Sequence, residues 1–180
     1  MTFRRHMERE VLRALAEFPD DGGIYVVTFR IDSVDQDPRF PYLAVGYNTE
    51  AEVARQIEVV GAAEAWEVRW SYAYFPPSGL EGVRSAGNDP EGAALFRREA
   101  EEQGFWDDEE RLDERFRESC VDLARWLHAE GHLVKALGRP LPIVLYDMFD
   151  PDAMFAMTRD ANPAELVEEF LAEDPEGEDS

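Results

Sequence analysis

The sequence predicts an α+β fold in which a central mixed β-sheet of about four or more strands packs with amphipathic helices. Two observations lead to this prediction. Several long stretches repeat apolar residues with helical spacing, and several short stretches are rich in β-branched and aromatic residues. With 180 residues, the chain can bury roughly two thirds of its unfolded surface. We expect one domain over residues 1–172 and an acidic tail over residues 173–180.

The first half of the chain predicts a helix, two strands and a second helix. Residues 3–18 carry apolar side chains three and four positions apart, which is typical of an amphipathic helix. Residues 24–31 are apolar on both faces and predict a central strand, and residues 42–47 predict a second strand. Thr49, with Glu52 three residues later, forms the signature of a helix N-terminus.

Residues 66–75 predict a third strand with one aromatic face, because bulky apolar residues alternate with smaller or polar ones. The even positions of this segment are Trp66, Val68, Trp70, Tyr72 and Tyr74. Core packing is the simpler interpretation, and a binding surface that includes Trp70, Tyr72 and Tyr74 is the alternative. On the opposite face, Arg69 is a candidate anchor for a ligand, and we expect its partner across the sheet.

The second half predicts helices around one more strand. Residues 76–89 contain several Pro and Gly and predict the longest loop. Helices are expected over residues 90–103 and 108–130. A strand follows over 141–146, and its prolines suggest that it starts late or lies near a sheet edge. Short helices are expected after residues 150 and 162, the second capped by Asn162.

Two histidines are weak candidates for a metal site. His128 and His132 are four residues apart, a spacing that can place two ligands on one helical face. Gly131 lies between them and is expected to end the helix, so a histidine at a helix end is the simpler interpretation. The single cysteine, Cys120, lies on an apolar helical stripe and is expected to be buried and unreactive.

Asp147 is the candidate binding residue at the end of the last strand. Strand ends in α/β proteins often carry acidic groups that bind ligands. The neighbouring Asp150 and Asp152 have simpler roles at a helix N-terminus. The chain has no phosphate-binding loop, nucleophile elbow or cysteine pair, so we predict no catalytic residue and no cofactor.

The formal net charge of −22 limits the classes of partner. It opposes binding to nucleic acid and favours a basic protein partner, although acidity also serves solubility alone. The N-terminus has no long apolar run, so we expect no signal peptide and no association with a membrane. With one cysteine, a reducing cytoplasm is the expected location.

Three segments resemble an uncharacterised bacterial family of single-domain proteins, a domain of unknown function: residues 47–50, residues 69–72 and the helix that follows Pro163. The chain also resembles small acidic immunity proteins encoded beside secreted toxins. The resemblance implies a non-catalytic protein-binding module, an immunity-like inhibitor of a basic partner. The alternative is a small-ligand or metal-dependent enzyme with a pocket near residues 66–75.

Overall fold

The computed structural model describes residues 1–19, 23–61 and 65–172. A four-stranded sheet lies at its centre, with strand order β3-β2-β1-β4. The strands are β1 (Ile24–Ser33), β2 (Pro41–Thr49), β3 (Arg84–Ala86) and β4 (Ile143–Asp147). β1 pairs antiparallel with β2 and parallel with β4, and β3 pairs antiparallel with β2. The sheet is therefore mixed, which confirms the predicted α+β fold and the central position of β1.

Helices cover both faces of this sheet. They are α1 (Phe3–Ala16), α2 (Glu50–Val60), α3 (Ala65–Trp70), α4 (Pro77–Leu80), α5 (Pro90–Gln103), α6 (Glu109–Ala129), α7 (His132–Leu137), α8 (Met154–Ala161) and α9 (Ala164–Leu171). α1, α5, α6 and α7 contribute to the core on one face, and α2, α3 and α9 to the core on the other. The predicted tail, residues 173–180, lies outside the described residues.

The alternation of side chains along β1 separates the two cores. Val27 and Phe29 belong to the core under α1 and α6, whereas Val26 belongs to the core under α3 and α9. A β-bulge between Ile24 and Val26 shifts the register against β2. Because a bulge adds one residue to a strand, Tyr25 joins Val26 in the second core instead of pointing away from it.

The outer edge of β4 is covered by two side chains from the α8 segment. The Thr158 hydroxyl accepts a hydrogen bond from Leu145 N at 3.0 Å and donates one to Leu145 O at 3.3 Å. The Asn162 side-chain amide accepts from Ile143 N at 2.8 Å and donates to Ile143 O at 2.7 Å. The predicted edge position of this strand is confirmed. The predicted capping role of Asn162 is wrong, because its side chain bonds to β4.

The prediction of a strand over residues 66–75 is wrong. This segment contains helix α3, and a 3-10 turn follows over Tyr72–Tyr74. Trp66 and Trp70 are one helical turn apart, and both rings contact Phe170 of α9. Trp66 and Trp70 share one face in a helix as well as in a strand, so this pair does not distinguish the two structures. The long loop predicted over residues 76–89 is also partly wrong, since it contains α4 and β3.

α4 packs directly on the sheet because the contact point carries no side chain. Gly46 of β2 lies under Ser78, and the Gly79 carbonyl accepts hydrogen bonds from Thr28 Oγ1 and Tyr146 Oη, each at 2.7 Å. These two donors come from β1 and β4. Both are buried, so each needs this carbonyl as its partner.

Candidate functional site

Arg69 joins three elements on one side of the sheet. Its Nη1 and Nη2 atoms each donate to a carboxylate oxygen of Glu50 at 2.8 Å, and its Nε lies 3.2 Å from Glu169. The guanidinium carbon lies 4.1 Å from the centre of the Tyr25 ring. The predicted partner across the sheet is therefore wrong, since the carboxylates come from α2 and α9. The bidentate geometry makes Arg69 a structural anchor.

Tyr25, the bulged residue of β1, holds the other side of this cluster. Its hydroxyl donates to the Arg69 carbonyl and accepts from Asn48 Nδ2 at 3.0 Å. Burial is the largest influence on the Tyr25 hydroxyl and raises its pKa. The hydroxyl therefore stays protonated and can donate its hydrogen bond. Sequence reasoning missed Tyr25, because a bulge has no signal in the pattern of apolar residues.

The aromatic candidates are divided between core and surface. Trp70 is 3% exposed, and its Nε1 has no hydrogen-bond partner among the described residues. Tyr72 is half-buried and stacks on Tyr146 at 5.3 Å between ring centres, and Tyr74 is half-buried against the same core. A cleft of about 360 Å³ lies beside Tyr25, Arg69 and Trp70. Arg69 and Trp70 therefore share one cleft, whereas Tyr72 and Tyr74 do not line it.

Asp147 lies at the opposite end of the sheet, where β4 ends against α6. It is 4% exposed, accepts a hydrogen bond from Phe149 N at 2.8 Å, and lies 3.2 Å from Arg117 Nε. Arg117 Nη1 also donates to Asp150 at 2.8 Å. Arg117 was missed by sequence reasoning, since nothing along the chain marks it among the arginines of α6.

Burial gives Asp147 an unusual titration. Desolvation raises the pKa of this carboxyl, although Arg117 and the Phe149 amide act in the opposite direction. Asp113, one helical turn before Arg117, also has a raised pKa, first because of burial and second because of the negative charge of Asp147. Asp147 and Asp150 share the Arg117 guanidinium, and its charge also opposes the raised pKa of Asp113. Such an arrangement occurs at functional sites and in structural networks alike.

Asp147→Asn is expected to change how stability depends on pH. An acid whose pKa is raised by folding stabilises the fold most below its unfolded pKa, and this contribution is lost as pH rises through the folded pKa. As pH rises above 3.8, the ordinary pKa of the carboxyl, the wild type should therefore lose stability relative to the variant. Urea unfolding between pH 3.5 and about 7 measures this difference. A difference that does not change with pH would contradict the expectation.

The two histidines bind different parts of the protein. His128 Nε2 donates to Asn162 Oδ1 at 2.9 Å, and burial lowers the His128 pKa, which favours a neutral ring. His132 packs on Trp126, with ring centres 4.3 Å apart. Gly131 has a left-handed φ of 65° and separates α6 from α7, as predicted. In the part of the chain that the structure describes, no group of three or more His, Cys, Asp or Glu side chains could hold a metal ion.

A groove of about 660 Å³ runs between α6 and α8 beside Arg117. Val121 and Met157 provide apolar surface within it. Its charged lining consists of Glu110, Glu114, Arg117, Glu118, Asp122, Arg125 and Asp160. Five carboxylates and two guanidinium groups therefore face this groove, which gives it a negative charge.

No family model, curated protein or solved structure matches the chain. In residues 1–19, 23–61 and 65–172, no helix combines the length and the apolar character needed to cross a membrane.

Proposed function

We propose that this protein is a non-catalytic binding module for a basic protein partner, which it binds through the groove between α6 and α8. An immunity-like inhibitor of a basic toxin domain is one protein of this kind. The observation that carries the proposal is an acidic groove with apolar surface, in which the carboxylates outnumber the cations. The resemblance to small acidic immunity proteins points the same way.

Some of the carboxylates in the groove are available and others are paired: Glu118 lies 3.5 Å from Arg115, and Asp122 lies 3.3 Å from Arg125. Arg117 is held by Asp147 and Asp150, and Arg125 Nε donates to the Asp160 carbonyl at 2.6 Å. Glu110 and Glu114, by contrast, form no ion pair with any residue that the structure describes. A partner's cations can therefore bind these carboxylates without displacing an internal arginine.

The apolar surface explains why a protein partner fits better than a simple cation. Lysine and arginine side chains have long aliphatic stems, which pack on apolar surface while their charged ends reach polar groups. Val121 and Met157 can receive the stems, and the carboxylates of α6 can receive the charged ends. The net charge of −22 would also accelerate the encounter with a basic partner at low ionic strength.

Charge reversal in the groove provides the test. The variant Glu110→Arg/Glu114→Arg is expected to weaken binding of a basic protein encoded by a neighbouring gene by about tenfold or more at low salt. The matched control is Glu58→Arg/Glu130→Arg, which makes the same change in net charge at exposed positions outside the groove. Calorimetric titration at two salt concentrations measures both affinities. Equal weakening by the two variants would show that net charge alone matters, and no binding by the wild type would reject the proposal.

A small-ligand protein is the second candidate, and the cleft beside Arg69 favours it. Trp70 lines this cleft, and its Nε1 is a buried donor that has no described hydrogen-bond partner. Buried donors are normally paired, and a ligand oxygen would supply the acceptor. Saturable binding of a small molecule that the Trp70→Phe variant loses would favour this function over protein binding.

A further inference from the structure

Four large apolar side chains are exposed at one end of the sheet, where β1 and β4 end and β2 begins. Val34, Phe40, Met148 and Phe149 are 41%, 45%, 37% and 49% exposed, and we call them the apolar patch. Met148 N donates to Ile31 O at 3.1 Å, which keeps the two chain segments side by side beyond the last paired residues. Val34 N donates to Phe40 O at 3.0 Å and closes the loop between β1 and β2.

The composition of the apolar patch distinguishes it from the rest of the surface. Within the described residues, the two exposed phenylalanines are Phe40 and Phe149, and both belong to it. Scattered apolar side chains are normal on a protein surface, whereas a group of exposed apolar side chains at one end of a sheet is typical of an interaction site. Aromatic residues also contribute strongly to the energy of protein interfaces.

The loop that carries Phe40 has a fixed conformation. Asp35 and Gln36 have φ angles of 53° and 60°, which non-glycine residues rarely adopt. Asp37 accepts hydrogen bonds from Arg39 N at 3.0 Å and Arg39 Nε at 2.8 Å, and its carbonyl accepts from Phe40 N at 2.9 Å. Because these contacts hold the loop, little conformational entropy would be lost when Phe40 binds a partner.

Acidic residues surround the apolar patch and connect it with the groove. Asp35 and Asp37 lie in the loop that carries Phe40, and Asp150 follows Phe149 directly. Arg39 Nη2 lies 3.9 Å from Glu109 at the start of α6. On the other side, Arg117 binds Asp150 and also lines the groove. The rim therefore contains four carboxylates, of Asp35, Asp37, Glu109 and Asp150, against the two guanidinium groups of Arg39 and Arg117. It keeps an excess of negative charge that continues into α6.

We propose that the apolar patch is the anchor of the partner interface, and that it receives an apolar group surrounded by lysine or arginine on the basic partner. This inference rests on the proposed function and specifies the partner surface. The apolar centre would supply most of the binding energy, and the acidic rim would fix orientation and salt dependence. Carboxylates around the patch favour this partner over a second copy of the same acidic chain.

Two synthetic peptides of equal length and equal arginine content provide the probes. One alternates arginine with tryptophan and leucine, and the other alternates arginine with serine. In calorimetric titrations, the wild type should bind the apolar peptide about tenfold more tightly than the serine peptide. Phe40→Ser/Phe149→Ser should remove this preference, and Val34→Ser/Met148→Ser should reduce it.

The matched control is Val59→Ser/Val60→Ser, which removes two exposed apolar side chains at the end of α2 and should keep the preference. All three double substitutions lie at the surface, so unchanged thermal unfolding is expected. Glu110→Arg/Glu114→Arg should weaken both peptides equally, because it acts on charge.

The ways in which the inference can fail are distinguishable. If the wild type binds both peptides equally, the anchor is rejected and the proposed basic partner stands. If it binds neither, both proposals are rejected. If sedimentation shows a dimer that Phe40→Ser/Phe149→Ser converts to a monomer, a second copy covers the patch and the inference is overturned.

Discussion

Gly46→Ala is expected to lower the free energy of unfolding by about 4 kcal/mol, since it combines overpacking with the loss of buried hydrogen bonds. A Cβ atom at this position would overlap the Ser78 carbonyl oxygen and would lie 2.8 Å from Thr28 Oγ1 and 2.9 Å from Gly82 Cα. Two of these atoms belong to the backbone, which cannot rotate away as a side chain can. α4 must therefore move off the sheet, and its Gly79 carbonyl leaves the hydroxyls of Thr28 and Tyr146.

Urea unfolding measures this effect, with Gly104→Ala as the comparison. Gly104 has a φ of 78°, and a methyl group added there would meet open space, so only backbone strain opposes alanine. That substitution should cost about 1–2 kcal/mol. If Gly46→Ala cost no more than Gly104→Ala, the close contact between α4 and β2 would be contradicted.

Arg117→Met is expected to lower the free energy of unfolding by about 3 kcal/mol at neutral pH, because it leaves the buried carboxylate of Asp147 without its cation. We place the value at the lower end for a buried pair, since the Arg117 side chain is 29% exposed. Its aliphatic stem is largely retained in methionine. The loss therefore reports on charge more than on packing.

The dependence on pH separates charge from packing in this variant. Without Arg117, the folded-state pKa of Asp147 should rise further, so that protonation at acidic pH removes the uncompensated charge. The deficit against the wild type should be largest at neutral pH and should shrink as pH falls toward the ordinary pKa of the carboxyl, 3.8. Arg117→Met/Asp147→Asn should recover most of the stability. Failure of the second substitution to recover it would assign the loss to packing.

Helix boundaries were the most predictable part of the fold, because local chemistry determines them. Asp89 accepts hydrogen bonds from the amides of Glu91 and Gly92 at the start of α5, and Gly104 ends this helix in a left-handed conformation. Both roles follow from the residue types alone. The same holds for Asp108 at the start of α6.

The aromatic segment could not be assigned from its pattern. Trp66 and Trp70 are four residues apart, and residues at this spacing lie on the same face in a strand and in a helix. Only the position of Phe170 on α9 selects the helix. β3 was missed for a similar reason: three residues in a glycine-rich segment become a strand only through pairing with β2. In both cases, contacts distant in sequence decide the local structure.

The candidate sites were predictable one residue at a time but not as groups. Asp147 was proposed as a binding residue because it ends a strand, and Arg69 because it lay on the polar face of a predicted strand that is in fact helix α3. Their partners, Arg117 for the first and Glu50 for the second, come from elements far along the chain. The exposure of Phe40 and Phe149 was equally hidden, since phenylalanine is among the residue types most often buried.

The two side chains that cover the edge of β4 limit the growth of the sheet. An incoming strand would have to break the four hydrogen bonds that Thr158 and Asn162 make with Ile143 and Leu145, and would have to displace α8. At the opposite edge, β3 offers only three residues for pairing. Exposed edges are the usual templates for edge-to-edge aggregation. This sheet is therefore protected against fibril-like polymerisation, and a partner must bind its side chains instead of extending its backbone ladder.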